Sequence, residues 1–119
     1  MQRERLGAWG EDVAAAYLTR AGWTIVSRNF RAGRKEIDLV ARRGEVVAFV
    51  EVKTRASRST GHPFEAIDQQ KQLRIAKVAQ EWINLHGENG LTYRFDAIGV
   101  ARGVGASPRI YHLPDAWRG

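Results

Sequence analysis

The chain has 119 residues, 44% of them hydrophobic and 27% charged, a composition typical of a globular domain that buries its own core. It has no cysteine, which excludes disulfides and thiolate metal sites, and its formal net charge of +6 favours a polyanionic partner. No apolar run reaches the length of a membrane span and MQRERLGAWGED has no signal-peptide core, so we expect one cytoplasmic domain over residues 1–119 with no membrane association.

The first predicted elements are a helix and a strand. From about Glu4 to Arg20 apolar residues recur at helical spacing, and Gly22 is a stop signal. Glu11 falls at the margin of this apolar stripe, where a surface acid is the simplest interpretation. The alternating segment WTIVSRNF, residues 23–30, predicts a strand, and a loop rich in Arg and Gly follows at residues 31–34.

The segment KEIDLVARRGEVVAFVEVKTR, residues 35–55, predicts a hairpin with a charged face. One face carries three carboxylates and one ammonium: Glu36, Asp38, Glu51 and Lys53. A turn centred on Arg43-Gly44 would place Asp38 opposite Phe49 and Glu36 opposite Glu51, with neighbouring charges roughly 5–8 Å apart.

The opposite face of this hairpin is apolar. We expect Val46, Val50 and Val52 to be core residues packed under one of the helices. Phe49 shares the acidic face and should be only partly covered.

Clustered carboxylates destabilise a sheet unless a cation neutralises them. Mg²⁺ is held by one or two carboxylates together with water and phosphate oxygens, and Lys53 could stabilise an attacking water or a developing negative charge. The alternative is a solvated face of mixed charge in which Lys53 offsets one acid. Spacing alone does not separate the two, because Glu-x-Lys on a strand is a frequent pattern.

A second amphipathic helix is predicted from Phe64 or Glu65 to His86. Its apolar stripe, which includes Ile67, Ile75, Val78, Ala79, Trp82 and Leu85, has Lys71 at its centre. Either Lys71 extends past the sheet edge to solvent, or the stripe opens onto the carboxylate cluster there.

Two further strands follow, at Leu91–Ala101 and at Arg109–Leu113, the second a short edge strand. The order α-β-β-β-α-β-β predicts an α/β fold, a mixed sheet with a helix on each side. Asp96 is expected to pair with Arg94 or to cap a turn.

The strings EIDLV and FVEVKTR resemble the PD-(D/E)xK nuclease superfamily, and most closely the YraN (UPF0102) family, which is similar to archaeal Holliday-junction resolvases. The resemblance extends over nearly the whole chain, and the other motifs that carry it are Gly10-Glu11 with Ala15 and Leu18, Arg28-Asn29-Phe30-Arg31, Lys71 with Ala76 and Ala79, and Arg94-Phe95-Asp96. Two positions depart from the pattern: Ile37 stands where the superfamily has Pro, and Lys35 where Gly is expected.

The resemblance implies a restriction-endonuclease-like mixed sheet flanked by helices. It implies Asp38 and Glu51 as ligands of one or two Mg²⁺, with Mn²⁺ as a substitute, and no small-molecule cofactor. The other implied catalytic residues are Glu36, Glu11, Lys53 and Lys71.

The implied function is a metal-dependent DNA endonuclease or resolvase-like phosphodiesterase acting on structured or branched DNA. The alternatives are a DNA-binding module with little or no turnover and a structural partner in a larger DNA-processing assembly. A homodimer would suit a junction with two scissile strands. The candidate DNA-binding residues flank the acids: Arg34, Lys35, Arg55, Arg58 and Arg74.

Overall fold

The computed structural model describes residues 3–55, 68–102 and 107–117, which form two helices and five strands in the predicted order α-β-β-β-α-β-β. The elements are α1 Arg3–Arg20, β1 Thr24–Ala32, β2 Lys35–Arg43, β3 Val46–Arg55, α2 Gln69–His86, β4 Thr92–Arg102 and β5 Pro108–Trp117. The strands form one sheet in chain order, in which β3 and β4 are parallel and the other neighbouring pairs are antiparallel. Within the described ranges, neither helix is long and apolar enough to span a membrane.

Local signals account for the helix ends. Gly22 has φ 95°, and the N–H groups of Gly22 and Trp23 donate to the carbonyls of Thr19 and Leu18 at 3.1 and 2.9 Å, a Schellman motif that ends α1 as predicted. The Asp68 carboxylate caps α2 by accepting from the Lys71 backbone N–H at 2.8 Å. The predicted first turn of this helix, with Ile67, lies outside the described residues.

A helix packs on each face of the sheet, which confirms the predicted architecture. On one face α1 buries an apolar cluster that includes Ala14, Leu18, Leu39, Ala48, Val50 and Ile98. On the other face α2 buries a cluster that includes Val40, Val47, Phe49, Ile75, Val78 and Trp82. Val50 is fully buried as predicted, whereas Val46 and Val52 pack at the edge of the first cluster and stay half-buried.

The predicted hairpin register is wrong by two residues. Val46 pairs with Arg43 and Val50 with Leu39, so the turn residues are Gly44-Glu45 rather than Arg43-Gly44. Gly44 has φ 61°, and a two-residue turn with glycine at its first position matches the twist of the flanking strands. A shift of two residues preserves which side chains share a face. It brings Asp38, rather than Glu36, level with Glu51.

Phe49 and Leu85 are buried differently from the prediction. Phe49, expected to be partly covered, is 1% exposed, because α2 lies on the acidic face and brings the Trp82 ring to 5.7 Å from the Phe49 ring. Leu85, expected in the core stripe of α2, is 67% exposed because it lies over an open groove beside the edge strand β1.

Two strands are longer than predicted. β1 continues to Ala32, and a two-residue turn at Gly33-Arg34, where Gly33 has φ 65°, joins it to β2. β5 continues to Trp117 although it contains Pro114. An edge strand tolerates proline because one side of its backbone needs no ladder partner.

Candidate active site

Asp38 of β2 and Glu51 of β3 lie side by side where the β2–β3 ladder ends. The Asp38 Oδ2 atom accepts a hydrogen bond from the backbone N–H of Val52 at 2.7 Å. The side chain of Glu51 is 11% exposed, and its Oε1 atom lies 2.7 Å from the Nζ atom of Lys71 on α2. Two carboxylates and one ammonium therefore meet on the α2 face of the sheet, just past the aromatic core.

The burial of Asp38 determines its charge. The pKa of Asp38 is raised from its ordinary 3.8 to about 8. Loss of solvation is the largest cause and repulsion from Glu51 the second, while the hydrogen bond from the Val52 N–H lowers the pKa and offsets part of the rise. Glu11 and Glu36 raise it further by repulsion. Without a bound cation, Asp38 is therefore largely protonated at pH 7. A cation beside it would favour the ionised carboxylate.

Glu11 reaches the same cluster from the opposite side of the sheet. Burial is the main cause that raises its pKa, and a hydrogen bond from the Asn29 side chain together with the charge of Arg28 partly offsets it. Its neighbour Gly10 is buried against β3, where an added Cβ would lie 2.0 Å from the Thr54 Oγ1 atom. Glycine at this position therefore allows α1 to approach closely enough to bring Glu11 to the acids.

Gly10 and Asn29 were not among the predicted site residues, although both support the cluster. Asn29 has φ 52° within β1, a left-handed conformation that asparagine tolerates better than most residues. The available signal for Gly10 was a glycine inside a helical pattern, which usually has a packing reason. For Asn29 the available signal was its place in the Arg28-Asn29-Phe30-Arg31 motif of the family resemblance, which did not indicate its role.

Glu36 and Lys53 complete the predicted charged face. The carboxylate of Glu36 is 3.2 Å from the Nε atom of Arg31, and its side chain is 37% exposed. Lys53 is half-buried two residues after Glu51, and pairs with Gly99 in the ladder. Glu51, Glu11 and Glu36 all repel Asp38, so the acids gather at one end of the sheet, while their chemical roles stay predictions.

Lys71 contacts the carboxylate cluster, which confirms the second of the two geometries proposed for it. Its Nζ atom bonds Glu51 while its side chain stays 40% exposed. The Asp68 cap fixes the first turn of α2, so Lys71 enters the site from a rigid element.

The donor set fits a hydrated Mg²⁺ better than an ion enclosed by protein ligands. The described part of the chain holds no group of three or more His, Asp or Glu side chains arranged around a metal position. Mg²⁺ requires only one or two carboxylates and takes its remaining ligands from water and phosphate oxygens. Asp38 and Glu51 satisfy that requirement, with Lys71 sharing the second of them.

The predicted DNA-binding residues are divided by the fold. Lys35 and Arg74 line a cavity of about 310 Å³ together with Glu36 and Lys71. Arg34 is exposed on the β1–β2 turn, and Arg55 is half-buried at the end of β3. Arg58 lies outside the described residues.

Asp96 is structural, as predicted. Its carboxylate is fully buried on the α1 face and accepts hydrogen bonds from Arg94 at 2.9 and 3.1 Å and from the Asp115 N–H at 3.0 Å, and it lies 2.7 Å from the His112 Nε2 atom. Burial alone would raise the pKa of Asp96, but the hydrogen bonds from His112 and Arg94 hold it below its ordinary value. His112 also contacts the Tyr17 hydroxyl at 3.0 Å, so it joins β5 to α1.

Comparison with known sequences gives one family. The model of the "Uncharacterised protein family UPF0102" matches residues 10–100, which include every predicted catalytic residue. A UPF0102 protein of Leifsonia xyli subsp. xyli is 43% identical over 95% of this chain and 96% of its own length. One from Rhodococcus jostii is 46% identical over 94% and 95%, and one from Chloroherpeton thalassium is 46% identical over 79% and 73%.

Proposed function

Because the chain belongs to the UPF0102 family, which resembles the PD-(D/E)xK nucleases, we propose that it is a cytoplasmic, metal-dependent endonuclease that cleaves structured or branched DNA. The observation that carries the proposal is the gathering of three ionisable groups at one sheet end: the Lys71 ammonium contacts Glu51, and Glu51 repels the Asp38 carboxylate. Buried acids that repel one another destabilise a protein, and a bound cation removes that repulsion, so such clusters are typical of functional sites.

Asp38 and Glu51 would hold Mg²⁺, with Mn²⁺ as a substitute. When bound, the metal ion supplies Lewis-acid chemistry, lowering the pKa of a coordinated water and neutralising a phosphate. The Val52 N–H fixes the Asp38 carboxylate, and the Lys71 ammonium fixes Glu51, so the two acids keep their relative orientation without further reorganisation.

The remaining charges would act on the substrate. Lys53, on the same face as Glu51, would bind a phosphate oxygen and stabilise the negative charge that develops during attack. Glu11 and Glu36 raise the negative potential around Asp38 and would hold water at the edge of the site. Arg55, Arg58, Arg74, Arg34 and Lys35 would contact phosphates outside the reacting centre.

A cleavage assay tests the proposal directly. Supercoiled, flapped and four-way DNA are incubated in Mg²⁺ or Mn²⁺ with wild type, Lys53→Ala and Asp38→Asn. We expect either substitution to reduce the rate by roughly 10²–10³-fold or more, the usual effect of removing a charge that stabilises the transition state. Glu45→Gln is the matched control, because it removes an exposed carboxylate from the hairpin turn, away from the site. If the wild-type protein cleaves none of these substrates with either metal, the nuclease proposal is refuted.

One observation favours the second candidate, a DNA-binding module with little turnover. The Lys71 ammonium lies 2.7 Å from Glu51 and already offsets the charge of one of the two carboxylates that a metal ion would neutralise. Calorimetric titration with Mn²⁺ separates the two: a metalloenzyme should lose most of the binding heat in Asp38→Asn. Tight DNA binding without metal uptake or cleavage would support the module instead.

The proposed homodimer is tested separately by sedimentation with and without a four-way junction. Two-fold symmetry would place two sites on the two scissile strands of such a substrate. If the protein is a monomer that cuts one strand at a time, the homodimer proposal is refuted and the nuclease proposal still stands.

A further inference from the structure

A groove runs between α2 and the end of the β1–β2 hairpin. Its volume is about 730 Å³, within the range of sites that enclose most of a small ligand. The floor is apolar and includes Phe30, Val78 and Leu85. Leu85 is 67% exposed, although it lies on the helix that supplies Ile75, Val78, Ala79 and Trp82 to the core.

Positive charge surrounds this apolar floor. Arg31, Lys35, Arg74 and Lys77 line the groove, against one acid in the lining, Glu81. All four cations are exposed, and Arg31 also contacts Glu36. The combination of an apolar base and basic walls matches a ligand with a flat apolar face and a regularly spaced negative charge.

The groove leads to the candidate active site. Lys35 and Arg74 line both this groove and the smaller cavity of about 310 Å³ that reaches Glu36 and Lys71. Lys71 in turn bonds Glu51. A chain of phosphates bound along α2 would therefore extend from the groove to the carboxylates.

We propose that this groove binds a single-stranded segment of the DNA substrate, with unpaired bases on the Phe30–Leu85 floor and phosphates against Lys35, Arg74 and Lys77. Only unpaired nucleotides can offer base faces to a protein surface, because a duplex keeps those faces stacked inside and presents phosphates and base edges. The inference rests on the proposed function for its substrate and names the form of DNA the site selects: a flap, an overhang or an unpaired junction arm.

The test measures binding without chemistry. Fluorescence anisotropy in EDTA compares a labelled single-stranded oligonucleotide with a blunt duplex of the same sequence. Leu85→Glu places a negative charge on the floor at an exposed position, and we expect about tenfold weaker single-strand binding, comparable to the loss of one stacked base. Leu73→Glu is the matched control, since Leu73 is 62% exposed on the same helix and is not part of the groove lining.

Two further variants examine stacking and charge separately. Phe30→Leu keeps an apolar side chain and removes the aromatic face, and should weaken single-strand binding roughly fivefold or more. Lys77→Gln should reduce the slope of log K against log salt by about 0.7, the contribution of one phosphate contact on a single strand. Arg20→Gln, at the end of α1, removes the same charge elsewhere and should leave the slope unchanged.

Equal effects of Leu85→Glu and Leu73→Glu, or an equal loss of duplex affinity, would overturn the groove assignment. This failure is distinguishable from failure of the nuclease. If single-strand binding depends on Leu85 but the protein cleaves no substrate, the groove proposal is supported and the nuclease proposal is refuted. If Leu85→Glu does not change the cleavage of duplex DNA and the protein does not bind single strands, the nuclease proposal is supported and the groove proposal is refuted.

Discussion

Burial of Asp38 beside Glu51 should make the metal-free protein less stable as the pH rises. The unfolded chain ionises Asp38 near its ordinary pKa of 3.8, whereas the folded protein holds the proton up to about pH 8. Between these values the folded state binds one proton more than the unfolded state, so raising the pH favours unfolding by at most about 1.4 kcal/mol per pH unit. Over the whole window this sets an upper limit of about 6 kcal/mol.

Asp38→Asn removes the titration and keeps an oxygen that can accept from the Val52 N–H. Urea unfolding at pH 5, 6, 7 and 8 in EDTA should therefore give a flatter curve for the variant, which becomes the more stable chain at pH 8. Saturating Mn²⁺ at pH 8 should stabilise wild type and leave the variant unchanged. Glu45→Gln controls for removal of a surface charge. Parallel curves for wild type and Asp38→Asn would refute the burial argument.

Three further substitutions test the packing, each by equilibrium unfolding. Gly10→Ala should lower the free energy of unfolding by about 1–3 kcal/mol, because the added Cβ would lie 2.0 Å from the Thr54 side chain of β3. Gly7→Ala, with nothing within 4 Å of its Cβ, should raise the free energy of unfolding by roughly 0.5–1 kcal/mol. Equal effects of the two substitutions would contradict the close approach of α1 to β3. Val50→Ala should lower the free energy of unfolding by about 1–2 kcal/mol, and Val26→Ala should lower it much less because Val26 is 42% exposed. An unchanged unfolding midpoint for Val50→Ala would mean that Val50 lies outside the core. Asp96→Asn should cost about 3–5 kcal/mol at pH 7 by breaking a buried charge pair. Because the folded pKa of Asp96 is lowered, this loss should persist above about pH 4 and disappear as the pH falls further, and a constant difference would contradict that ionisation.

Strand alternation predicted most of the shared faces, but not which residues are partners. Alternation has a period of two and depends only on the strand itself, so Val47 and Phe49 were grouped on one face correctly, whereas Ile37 packs in the α2 cluster with Val40 rather than with Leu39. The pairing depends on which residues form the turn. Both candidate turns contain Gly44, and the requirement for a positive φ at the first turn position selects Gly44-Glu45.

Burial on the acidic face could not be predicted from the hairpin, because it depends on where α2 packs. Phe49 is covered by Trp82, which is 33 residues later in the sequence, and Leu85 stays exposed because α2 leaves a groove beside β1. The contact of Lys71 with Glu51 was one of two predicted geometries, distinguished by the same packing. The catalytic roles of these residues stay predictions that the assays above address.

The sheet follows chain order, and this has a consequence for the order in which the protein folds. β1, β2 and β3 are joined by two-residue turns, so their pairing closes short loops, whereas the parallel β3–β4 pairing must bring Arg55 and Thr92 into one ladder across a long segment. Local pairings form faster than distant ones, and we expect the three-stranded meander to appear first on the folding pathway. Glu36, Asp38 and Glu51 all lie on that meander. The acids would therefore be assembled before α2 brings in Lys71, and a divalent cation present during refolding should accelerate the early step.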